Sequence, residues 1–163
     1  MNGEELKRFV PELLEARYPG ASRRMGASDD TPGLPGIEGW MLDLKGTVMT
    51  VRASQTSNPF IWIRGGISHA IPRSEQLALR VAAGNKDLVV GRLYMAYGGD
   101  QAMVVFDETV FGGYLSFEHE PSIEDAVTKL ETSIQYTNEW ARTIREEFGG
   151  QSFTADDWHL LAF

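Results

Sequence analysis

The sequence predicts an α+β fold: a twisted antiparallel sheet of about five to six strands with helices packed across it, in the order α-β-β-β-α-β-β-α. Three observations carry this. Apolar residues recur at helical spacing near the start (Leu6, Phe9, Val10, Leu13, Leu14) and again, every three to four residues, from Ile123 to Phe148. Between them lie short runs in which apolar and polar residues alternate, the period of a half-buried strand. Glycine, proline and asparagine clusters separate the runs and supply the turns.

The first helix is expected over residues 3–18, with Asn2 as its cap and Pro19-Gly20 as its stop. Pro11 lies inside it and removes one helical hydrogen bond. It predicts either a kink or a regular helix that starts near Val10, with Pro11 in the favoured first position. Residues 19–39 are rich in glycine and proline and read as a mobile loop, with Ser22–Ala27 able to pair briefly as an edge strand. Trp40, Leu42 and Leu44 then alternate with Met41, Asp43 and Lys45. Gly46 turns the chain into Thr47–Ala53, where Met49 and Val51 alternate with Thr50 and Arg52. After the polar stretch 54–59, Phe60–Arg64 is dense in β-formers, and Gly65-Gly66 is expected to close it.

A shorter helix is predicted from Pro72 to Ala83, stopped at Gly84-Asn85. Leu88–Tyr97 and Gln101–Phe106 read as a hairpin turning at Gly98-Gly99-Asp100, with Val110–Leu115 either extending the sheet or looping across it. Ser122 is the expected N-cap of a closing helix of about 26 residues, which would span roughly 39 Å. Glu124 and Asp125 suit its positive end, and Gly149-Gly150 ends it. The tail 151–163 finishes in Trp158-His159-Leu160-Leu161-Ala162-Phe163. It must pack back on the domain or on another chain, because that much exposed apolar surface is costly.

The 163 residues suit a single domain, 1–163, large enough to bury a core without a metal or disulfide staple. There is no cysteine, which removes disulfides, thiolate zinc sites and cysteine nucleophiles and agrees with a cytoplasmic setting. No run approaches a membrane span, and no secretory pattern opens the chain. A net charge of −8 argues against a nucleic-acid partner.

Four features of the sequence bear on chemistry. His69, His119 and His159 are far apart, with no metal-ligand spacing. No phosphate-loop, dinucleotide or nucleophile-elbow motif is present. The glycine doublets read as turns and caps. The acidic run at Glu118, Glu120, Glu124 and Asp125 reads as helix-dipole complement rather than a catalytic carboxylate pair. No catalytic residue, cofactor or metal site is therefore assigned, and the chain reads as a non-enzyme.

The strands do carry apolar residues on both phases: Phe60 and Trp62 oppose Ile61 and Ile63, and Met41 opposes its apolar neighbours. Such a sheet is covered on both faces, or holds one face for a partner. Trp40, Trp62, Tyr94 and Trp158 are the candidate partner contacts.

Leu-Ala-Leu-Arg-Val-Ala-Ala-Gly-Asn (77–85), followed by two strands and a glycine pair through Leu115, resembles the type III secretion chaperone-like fold shared by the YbjN-like proteins. Asn85 matches an asparagine that commonly ends the middle helix there, and the helix Ser122–Gly150 also fits. The resemblance spans residues 3–150 in architecture. The loop at 26–39 and the apolar tail depart from it. It implies a helix-covered antiparallel sheet and a dimer that binds extended client segments without ATP. The leading expectation is a peptide- or protein-binding module, chaperone-like or YbjN-like. The alternative is an immunity or antitoxin-type protein that blocks one cognate toxin, and a small-molecule binder or enzyme comes third.

Overall fold

A computed structural model describes residues 1–25, 37–54 and 56–161. Helix α1 (Gly3–Arg17) leads into β1 (Ser22–Arg24), β2 (Ile37–Asp43), β3 (Val48–Ser54) and β4 (Phe60–Pro72). Helix α2 (Glu75–Gly84), β5 (Arg92–Gly98), β6 (Gln101–Phe111) and helix α3 (Glu120–Phe148) follow. The six strands form one antiparallel sheet in the order β1-β2-β3-β4-β6-β5. The predicted α+β architecture is therefore the observed one. Among the described residues no helix is long and apolar enough to cross a membrane.

Asn2 caps α1 through a reciprocal capping box with Glu5, and the helix runs unbroken through Pro11. Of the loop expected at 19–39, residues 26–36 lie outside the described residues. Ser22–Arg24 is the brief edge strand, and residues 37–39 already belong to β2. Ser74 caps α2 by accepting from Leu77 N–H. Asn85 then docks the end of α2 on β5: its side-chain amide accepts from Leu93 N–H at 2.6 Å and donates to Leu93 C=O at 3.1 Å.

Four local expectations are corrected. Gly65-Gly66 does not close a strand; β4 runs through it to Pro72, because β3 and β6 flank its first half and β6 continues beside the rest. The run from Leu88 becomes a strand only at Arg92, after Gly91 turns the chain at φ 65°. Strand β6 extends to Phe111 and passes into a short 3₁₀ turn at Gly112–Tyr114. Ser122 is not the cap of α3. His119 holds that position, with Pro121 in the first turn, while Ser122 Oγ accepts from Ser116 N–H and donates to His119 C=O.

All three helices lie on one face of the sheet. α1 and the first half of α3 bury Leu6, Leu14 and Leu130 against Leu42, Val51 and Ile63. α2 and the second half of α3 bury Leu77, Val81 and Ile144 against Ile67, Val104 and Phe106. Each such side chain contributes roughly 1.5–3 kcal/mol by leaving water. Ser133, Thr137 and Ala141 keep the middle of α3 narrow, and their hydroxyls are satisfied within the helix: Ser133 donates to Lys129 C=O and Thr137 to Ser133 C=O. That narrow stripe sits directly over Gly65, where a Cβ would come within 2.0 Å of Thr137 Oγ1.

Candidate functional site

The opposite face of the sheet has a different chemistry, which follows from the two-residue period of the strands. Register places Arg23, Met41, Thr50, Arg64, Asp107 and Arg92 in one row across all six strands. The next row holds Gly39, Arg52, Trp62 and Thr109. Arg64 and Asp107 face each other across β4 and β6 and pair through two hydrogen bonds, from Nε at 2.6 Å and Nη2 at 3.1 Å. Both are almost fully buried, at 5% and 4% exposure. The Arg64 guanidinium also lies over the Trp62 ring, 4.3 Å from its centroid, and Arg52 approaches the same ring at 5.7 Å.

The C-terminal residues cover part of this face. After α3 the chain turns at Gly149 and Gly150, with φ of 76° and 92°. Gln151 then pairs with His69 as a single antiparallel bridge, the two backbones exchanging both hydrogen bonds. Residues Ala155–Leu161 form a 3₁₀ helix. Phe153 and Leu161 are buried with Met41, Val48 and Val105, and Met25, Met103, Trp158 and Leu160 pack around them. Gly66 is the counterpart of Gly65: a Cβ there would sit 2.4 Å from Cγ of Phe153. The glycine doublet thus admits a helix on one side of β4 and an aromatic ring on the other, a close-approach role instead of the predicted turn.

Polar contacts hold this strap in place. Asp157 accepts from Thr154 N–H and Oγ1, and that hydroxyl is the main cause of a carboxyl held below the usual range. His69 Nε2 lies 3.7 Å from Asp157, and its ring meets Phe153 edge-on. Arg145 donates to Ser152 Oγ, and Arg52 Nη2 reaches Leu161 C=O at 3.4 Å. A β-bulge holds Ala70 in a left-handed conformation, φ 53°. Beside it an apolar notch of about 350 Å³ opens between Ala96, Met103 and Leu160.

Of the four predicted contacts, this face holds three. Trp62 is half-buried between the two arginines, Trp158 is half-buried on the strap, and Tyr94 lies on β5, 42% exposed. Trp40 does not join them. It points to the helix side, is 4% exposed, and packs in the α1 core, so no partner can reach it in this state. Beyond the strap the face ends in Thr109 and Phe111, the latter 55% exposed, with Phe60 beside it. Arg52, Arg64 and Asp107 were missed as site residues. The available signal was arginine on the polar phase of two strands that later prove adjacent.

No protein-family model matches the chain, and comparison with curated proteins finds no match.

Proposed function

We propose that this chain is a non-enzymatic polypeptide-binding module of the secretion-chaperone-like or YbjN-like kind, and that the second sheet face is its recognition surface. The observation that carries the reading is the group of aromatics, Trp62 with Phe60 and Phe111 in adjacent rows of one sheet face, left partly uncovered beside the strap. Large, stiff, amphipathic rings of this kind dominate peptide and protein recognition. The order of helices and strands agrees with the resemblance and adds support.

The test compares the full chain with Trp62→Ala and Phe111→Ser against a chemically unfolded, acidic test polypeptide. Binding is followed by fluorescence anisotropy. Each variant should weaken binding about tenfold or more, a loss near 1.4 kcal/mol. Phe111→Ser should shift Tm by less than about 4 °C, because its ring is already half in water. Binding that is unaltered in both variants would remove this face from the reading. Light scattering on the complex gives the copy number, which the resemblance expects to be two.

A further inference from the structure

Residues 151–161 stand where a bound peptide would stand. We propose that they are a self-ligand, a strap that occupies the recognition face in the free protein and yields to a partner segment of the same chemistry: an acidic stretch bearing an aromatic and a leucine spaced as Phe153 and Leu161 are. The inference rests on the binding function proposed above and names its partner class.

Four features single this segment out. Among the described residues it packs on the smallest of the three buried clusters. It springs from two glycines in the left-handed region, Gly149 and Gly150, and the first has open space where a Cβ would be. The surface beneath it is rich in methionine: Met25, Met41 and Met103 are unbranched, polarisable side chains that repack around different partners. Charge supplies the last. Asp157 of the strap lies 3.7 Å from Nε2 of His69 on β4, a contact that an acidic partner can repeat. The slot over Gly66 accepts the ring of such a partner.

The experiment uses the full chain labelled with 5-fluorotryptophan and an unlabelled synthetic peptide of residues 151–161. On titration the fluorine resonance of Trp158 should move, saturably, to its solvent-exposed position while that of Trp40 stays fixed. Phe153→Ser weakens the strap and should bind the peptide roughly tenfold more tightly than wild type, because apparent affinity scales with the fraction already open. An unmoved Trp40 resonance reports that this variant is folded. Saturable binding with Trp158 unmoved would overturn the strap and leave the binding function standing. Failure of the peptide alone, with the acidic test polypeptide still bound, would overturn the partner class. Failure of both probes would overturn the binding function itself. A Phe153→Ser dimer that excludes the peptide would assign the face to a second copy and overturn the proposal.

Discussion

The two faces of this sheet are built from the same strands and solve burial in opposite ways. The helix side is closed by α1, α2 and α3 over leucine, isoleucine, valine and phenylalanine. The other side is closed in part by an eleven-residue strap over methionines and valines, and it also carries a buried arginine–carboxylate pair. Apolar packing stabilises wherever it occurs, but a buried ion pair often stabilises no better than an apolar pair of the same shape. The second face therefore gives up some stability for chemistry. The contrast teaches where to look for function: at the face that packs less completely and carries charge.

The largest expected effect comes from breaking the buried pair. Asp107→Ala strips the carboxylate from the buried Arg64 guanidinium and should cost about 3–5 kcal/mol in urea unfolding. Replacing both partners, Arg64→Met with Asp107→Leu, should recover most of that loss, since the apolar pair needs no desolvation of charge. If the double variant stays as unstable as Asp107→Ala, the second face is a structural core like the first and the contrast fails.

Two adjacent alanines sharpen the comparison. Gly65→Ala drives a methyl into Thr137, whose Cβ as well as Oγ1 lies within 3 Å of the new atom, so rotating the side chain gives no relief. Helix α3 is pinned along its length, and the cost should be about 1–3 kcal/mol or more. Gly66→Ala meets Phe153 just as closely. Its obstacle is the Phe153 ring on the strap, so the loss should be smaller than for Gly65→Ala and at most the roughly 1.5–3 kcal/mol that burial of that ring contributes. Trp158 emission should shift to the red in Gly66→Ala alone. Equal losses would mean that both faces are held equally fast.

How much of this was legible in the sequence differs between the faces as well. The helix side was readable because its signals are local: stripes at three- and four-residue spacing, the Asn2 cap and the Gly149 stop. Gly65-Gly66 was misread because a turn and a close approach use the same residue, and only the positions of Thr137 and Phe153 tell them apart. Trp40 was misplaced for a related reason. When both phases of a strand are apolar, periodicity cannot say which one meets the helices. The arginine row was invisible because register across β3, β4 and β6 joins residues up to 57 positions apart, Thr50 through Arg64 to Asp107.

The smallest expected effect probes Glu108, a buried carboxylate on the helix side. Glu108 is 9% exposed on β6, and burial pushes its carboxyl above the usual range despite the opposing pull of Lys129 and of the Thr109 and Gly91 N–H groups. The folded state therefore favours the protonated acid more than the unfolded chain does. Stability from this group is fully present below the ordinary carboxylate value and declines as pH rises from there through the raised folded value. Glu108→Gln keeps the shape and removes the charge. It should raise Tm at pH 7, and the gain should shrink as pH falls toward 4. Asp157 on the strap predicts the reverse slope: its depressed carboxyl contributes above its ordinary value, and that contribution is lost as pH drops through the folded one. A Tm gain in Glu108→Gln that persists undiminished at pH 4 would mean that the amide improves packing and that the buried charge costs nothing. A Trp158 signal that changes on acidification before Trp40 does would set the two faces apart without any mutation.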